Sequence, residues 1–143
     1  MRSDNPYQAY LNLLHPDIQV DVQAKHFMID PKSVAQIPSN CSVWDALEVL
    51  DRGGLGMLMV VDQGKCLGMA TNADLRRAML QEKAGNTNRP WWNDNPLSIQ
   101  SETTFSQMID LLNRHAMPLN LLPVIDDEEF TGLIHFNYLA HSL

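Results

Sequence analysis

Ser42-Val43-Trp44-Asp45-Ala46-Leu47-Glu48-Val49-Leu50-Asp51-Arg52 and Thr104-Phe105-Ser106-Gln107-Met108-Ile109-Asp110-Leu111-Leu112-Asn113-Arg114 are two versions of one pattern. Val43, Ala46, Leu47 and Leu50 are answered by Phe105, Met108, Ile109 and Leu112. Both sets follow the i, i+3, i+4, i+7 spacing that gives a helix one apolar face. Each stretch also opens on a hydroxyl residue with a hydrogen-bonding side chain three positions later, Ser42 with Asp45 and Thr104 with Gln107. Such pairs satisfy the first free N–H groups of a helix. Two equivalent amphipathic helices are predicted, and with them an internal repeat.

The repeat continues on both sides. Downstream, Leu58-Met59-Val60-Val61-Asp62 is matched by Leu121-Leu122-Pro123-Val124-Ile125-Asp126, short apolar strands closed by acidic turns. Glycine-led strands follow, Leu67-Gly68-Met69-Ala70-Thr71 and Thr131-Gly132-Leu133-Ile134-His135, each running into a second helix. In the first copy that helix carries Leu75, Ala78 and Met79; in the second it begins near Asn137. Upstream, Val34–Ile37 and Leu97–Ile99 read as short strands. The unit is strand, helix, strand, strand, helix, over roughly sixty residues. Half-domains of that size bury too little alone, so the two are expected to pack on each other. Residues 1–30 are expected to hold a helix and a lead-in segment, with Tyr7, Tyr10, Leu11 and Leu14 at helical spacing between Pro6 and Pro16. Residues 31–85 form the first half-domain, 86–96 a linker holding Trp91 and Trp92, and 97–143 the second half-domain.

Composition narrows the partners. Ten basic against seventeen acidic residues give a net charge of −7, which disfavours a nucleic-acid partner. The apolar run Leu55–Val61 is too short to cross a bilayer, and Met1-Arg2-Ser3-Asp4 opens no signal peptide. Cys41 and Cys66 make neither a disulfide framework nor a metal knuckle. No membrane partner and a cytoplasmic location are therefore expected. The five histidines show no i, i+4 pair and no cysteine neighbour, so no metal site is expected.

The glycine, two apolar residues, threonine, two free positions and aspartate of Gly68-Met69-Ala70-Thr71-Asn72-Ala73-Asp74 resemble the motif that closes each half of a tandem CBS-domain pair, or Bateman module. Leu55-Gly56-Met57, Val60-Val61-Asp62 and Thr71-Asn72-Ala73-Asp74-Leu75-Arg76-Arg77 are similar to the C-terminal CBS pair of arabinose-5-phosphate isomerases. Gly132-Leu133-Ile134-His135 also fits that group, which uses histidine at the threonine position. The resemblance covers about residues 30–143 and implies an α/β (α+β) fold. Each half would be a small sheet packed on two helices, the halves related by pseudo-two-fold symmetry. Two positions depart from the pattern. Tyr138 stands where the second motif has aspartate, and Trp91-Trp92 replace a Met-Thr pair. The isomerase domain that lies upstream in those enzymes is missing from this sequence, so catalysis is not expected of the chain.

A nucleotide on this scaffold needs three kinds of group. The hydroxyl of Thr71 and the N–H groups at Thr71 and Asn72 suit a phosphate, because a helix N-terminus favours an anion. By the resemblance, the Asp74 carboxylate accepts from the ribose hydroxyls. Ile37, Met57, Met59 and Met69 offer apolar walls for a base, with Gly68 in the motif and His135 at the equivalent place in the second copy. Arg76 or Arg77 offers a fork for phosphate. The same Thr71 and Asp74 also make a capping box that stabilises the helix with no ligand, and methionines fill cores.

The expectation is thus a non-catalytic regulatory module. It would bind an adenosine nucleotide (AMP, ADP or ATP), S-adenosylmethionine or a nucleotide sugar such as a CMP-sugar between its half-domains, and require no cofactor. It would control a partner or fused enzyme of sugar-phosphate metabolism and form a homodimer through its helices. The alternative is a ligand-free dimerisation module with a degenerate second site.

Overall fold

A computed structural model describes residues 22–83, 85, 90–114 and 121–136. The expected helices over residues 7–14 and from Asn137 onward, with Tyr138, His15, His115 and His141, lie outside the described residues. The architecture is mixed α+β, and the chain divides into two compact units.

The first unit takes residues 31–97 together with 127–130. Its elements are β1 (Gln36–Ile37), α1 (Val43–Gly53), β2 (Met57–Asp62), β3 (Lys65–Thr71) and α2 (Asn72–Lys83). Helix α1 starts where Ser42 Oγ accepts the Asp45 N–H at 3.1 Å, and it ends at Gly54, whose φ of 80° suits a residue without Cβ. β2 and β3 form an antiparallel hairpin in the register Met57↔Thr71, Leu58↔Ala70, Met59↔Met69 and Val60↔Gly68. Gln63 and Gly64 turn it with φ of 52° and 82°, both positive, as the native strand twist prefers. β1 joins β2 in parallel, Ile37 opposite Val60.

Strand alternation then sorts the side chains. Leu58, Val60 and Ala70 share a face and pack in one cluster with Ile37, Val43, Ala46, Leu50 and Leu75. Met57 and Met59 occupy the opposite face of β2 and are fully buried. Burying each large aliphatic side chain in that cluster contributes roughly 1.5–3 kcal/mol.

The described residues of the second unit are 22–30, 98–114, 121–126 and 131–136. They hold α3 (Phe105–Asn113) and β4 (Leu121–Asp126), with β5 spanning Glu129–His135. The capping box is complete here: Gln107 N–H donates to Thr104 Oγ1 at 3.2 Å, and Thr104 N–H donates to Gln107 Oε1 at 3.0 Å. Phe105, Met108, Ile109 and Leu112 are buried, the face their spacing predicts. The 22–30 segment precedes the first copy of the repeat yet is built into the unit of the second copy. Ala24 N–H donates to the Thr103 carbonyl, Phe105 N–H to the Val22 carbonyl, and Phe27 meets Phe105 edge-on at 5.5 Å.

Candidate functional site

Thr71 ends β3 and Asn72 opens α2, so strand and helix meet at the motif. Thr71 N–H and Thr71 Oγ1 both donate to Asp74 Oδ2, at 2.9 and 3.1 Å. Asp74 N–H lies 3.4 Å from Thr71 Oγ1. Arg77 Nη1 reaches the other carboxylate oxygen, Asp74 Oδ1, at 3.1 Å. Both oxygens of Asp74 are thus engaged within the chain. The geometry is a capping box with a guanidinium added, the arrangement expected of a helix start.

Beside this carboxylate is a cavity of about 430 Å³ lined by Asp74, Arg77, Trp91, Trp92, Asn93 and Asp94 among others. A volume of that order suits a small organic ligand. Arg76, the neighbour in sequence, lines a different groove with Trp44, Met79 and Leu80. The structure therefore brings Asp74 together with Arg77, not Arg76.

The other candidates are placed as follows. Asn72 is exposed on the first turn of α2, and Met69 is partly buried. Ile37 belongs to the cluster under the helices, whereas Met57 stands on the other face of the sheet, so the two do not share a wall. Gly68 is buried against Trp92 and Asn93, and neighbouring Met69 exchanges both backbone hydrogen bonds with Asn93, at 3.0 and 2.8 Å. His135 ends β5 in the second unit, and burial pushes its pKa below the ordinary 6.5.

Two features escape sequence reasoning. Trp91 Nε1–H donates to the Cys41 carbonyl at 3.0 Å, which fixes one wall of the cavity to the loop before α1. A serine–aspartate latch also recurs. Ser39 donates to Asp62 from both its N–H and its hydroxyl, and Ser101 N–H donates to Asp126 Oδ1 at 3.0 Å. The usable signal was present: Ser39 and Ser101 are 62 residues apart, and Asp62 and Asp126 are 64 apart, the offsets of the repeat itself. The Ser39 hydroxyl and N–H hold the Asp62 carboxyl below its ordinary value against a smaller effect of burial. For Asp126, burial acts upward most strongly, but hydrogen bonds from Ser101 and Thr131 together outweigh it, and its pKa also falls.

Among the described residues, no three His, Cys, Asp or Glu side chains gather as a metal site would require. No helix among them is long and apolar enough to cross a membrane.

The family model of the CBS domain matches residues 24–81 and again 93–143, together well over half of the chain. The chain belongs to the CBS-domain family. It carries the domain as a tandem pair, and what is matched is regulatory, not catalytic. Among curated proteins it is similar to a "Probable arabinose 5-phosphate isomerase" of Haemophilus influenzae, 28% identical over 97 residues, 65% of this chain. The chain spans 28% of that relative's length. Solved CBS pairs share its fold. CBSX2 of Arabidopsis thaliana, in complex with AMP, superposes with a TM-score of 0.70 at 21% identity, covering 85% of this chain and 95% of CBSX2. The CBS pair of protein MJ0100, in complex with 5′-methylthioadenosine and S-adenosyl-L-methionine, gives 0.66 at 19% identity, covering 85% and 94%.

Proposed function

We propose that this CBS pair is a regulatory module that takes an adenosine nucleotide at Thr71 and Asp74. The observation that carries the reading is Asp74, bonded to Thr71 at a helix start and lining the 430 Å³ cavity. That CBSX2 binds AMP and MJ0100 binds adenosyl compounds supports the ligand class. Ribose hydroxyls would donate to the Asp74 carboxylate, and the N–H of Asn72 at the start of α2 would face phosphate, the Thr71 N–H being held by Asp74. Gly68 and Met69 position this turn, and His135 is the equivalent side chain of the second copy. Ile37 and Met57 act behind the site as packing. A ligand bound here would shift a partner only through its different affinity for two arrangements of the module. The similarity to a sugar-phosphate isomerase supports an enzyme of sugar-phosphate metabolism as the regulated partner, fused or separate, in the cytoplasm.

Thermal shift with AMP, ADP, ATP, S-adenosylmethionine and a CMP-sugar tests the ligand class. At a hundredfold excess over Kd, a ligand stabilises by about 2.7 kcal/mol, several degrees in Tm. Stabilisation by the adenosine compounds, lost in Asp74→Ala, is expected. No stabilisation at millimolar concentration, or an equal shift in Asp74→Ala, contradicts the reading.

A second reading, a homodimer, is favoured by Trp44 and Leu80, which are 59% and 64% exposed and line one apolar groove on α1 and α2. Large exposed apolar side chains side by side mark contact surfaces. Light scattering of Trp44→Glu with Leu80→Glu should show a monomer where the unaltered chain shows a dimer. An unaltered chain that is monomeric at all concentrations contradicts it.

A further inference from the structure

We propose that α2 and the tryptophan linker form the base-reading half of the site: adenine lies in the corner of Trp91 and Trp92, and the Gln81 carboxamide pairs with its amino edge. The inference rests on the adenosine-nucleotide reading above and names what would select the base. The walls expected of Ile37, Met57 and Met59 are closed, since all three side chains are buried in the folded chain. A base therefore needs other apolar surface within reach of Asp74. Trp91 and Trp92 line the same cavity as Asp74, and both remain partly exposed. Their rings meet at 80° with centroids 4.9 Å apart, which makes a corner. Trp91 is held there by its hydrogen bond to the Cys41 carbonyl, and Trp92 by its close approach to Gly68. A flat base stacked on one indole meets the other at its rim, the offset and edge contacts that aromatic groups prefer.

One face of α2 orders the rest. Asp74, Arg77, Ala78 and Gln81 follow i, i+3, i+4, i+7 spacing, and all four line the cavity. Asp74 and Gln81 are two turns apart, about 10.5 Å along the helix axis. Adenosine carries its ribose diol and its adenine amino group at opposite ends, and lies along such a face with Ala78 beneath it. At one end, Asp74 Oδ1 accepts from Arg77 and keeps a second acceptor position for a ribose hydroxyl. At the other, Gln81 is partly buried, and its carboxamide has no hydrogen-bond partner among the described residues. Asn93, a second carboxamide on the cavity, already accepts from the Asn95 N–H through Oδ1 at 3.0 Å. A carboxamide sets one acceptor beside one donor, the complement of adenine's amino group and the ring nitrogen next to it.

Calorimetric titration of the full chain tests this with AMP, GMP and the monophosphate of purine riboside, which lacks the 6-amino group. The unaltered chain should bind AMP about tenfold more tightly than the analogue without the amino group. Gln81→Ala should bring those two level. Gln81→Glu should move the AMP-to-GMP affinity ratio about tenfold toward GMP. A carboxylate only accepts, so it opposes the ring nitrogen of adenine and suits the N1–H and 2-amino donors of guanine. In Trp44→Phe, which leaves Trp91 and Trp92 as the indoles, AMP should quench tryptophan fluorescence by stacking. Equal binding of AMP and the analogue by the unaltered chain, a preference unmoved in Gln81→Ala or Gln81→Glu, or bound AMP without quenching would each overturn the proposal. AMP binding that Asp74→Ala abolishes would then leave the adenosine site standing. No binding of AMP to the unaltered chain would overturn both.

Discussion

Gly68 and Trp92 leave no room for a methyl group between them. A Cβ on Gly68 would collide with the edge of the Trp92 ring and with the Asn93 carbonyl. The second copy repeats the device with different chemistry: a Cβ on Gly132 would stand 2.5 Å from Met28 Sδ and 3.0 Å from the Ile29 carbonyl. In each case a lead-in segment pairs with the glycine-led strand, Asn93 with Met69 and Ile29 with Leu133. The motif glycine is therefore explained by close backbone approach, and the segment it admits walls the cavity beside Asp74.

The two glycines should respond unequally. Gly68→Ala forces backbone and an anchored indole apart, and we expect a loss of roughly 1–3 kcal/mol. Gly132→Ala pushes mainly on a flexible thioether, and should cost about 1 kcal/mol or less. Urea denaturation of both variants checks the order, and equal losses would contradict it.

Acid should unfold the chain in part through its serine–aspartate latches. The carboxyls of Asp62 and Asp126 sit below their ordinary 3.8 when folded, so the unfolded chain takes up their protons first. Their contribution is complete above that value and drains as pH falls through the lower folded value. Asp62→Asn with Asp126→Asn should be less stable at pH about 7 and lose less stability between about pH 5 and 2 than the unaltered chain. Denaturant midpoints across that range provide the check.

His135 acts nearer neutrality. Burial lowers its pKa from 6.5, so the unfolded chain binds this proton more readily. Its contribution is full above 6.5 and is lost as pH falls from there toward the lower folded value. His135→Gln should flatten the fall in Tm between about pH 7.5 and 5.5, and an unchanged slope would contradict the assignment.

Trp91→Phe removes the indole donor to Cys41 while keeping an aromatic ring in the wall. A loss of roughly 0.5–1.5 kcal/mol is expected from the unmade bond. Thermal unfolding measures it.

Much of this was legible in the chain. Val43, Ala46 and Leu50, with Phe105, Met108, Ile109 and Leu112, declare their buried faces through helical spacing, and Ser42 and Thr104 declare where those helices start. Thr71 and Asp74 are three residues apart, so their pairing is local and readable. The rest depends on what meets what at long range. A glycine has no side chain to advertise that Trp92 will press on Gly68. β1 has two residues, too few for alternation to show that Ile37 faces the helices and not the methionines. The Asp74–Arg77 pair, by contrast, is local: residues i and i+3 share a side of a helix and residues i and i+2 do not, so spacing alone favours Arg77 over Arg76.

The most direct test of the account is a crystal structure of the chain with AMP at saturating concentration. The ribose hydroxyls should lie within hydrogen-bonding distance of the Asp74 carboxylate. AMP bound away from Thr71 and Asp74 would contradict it.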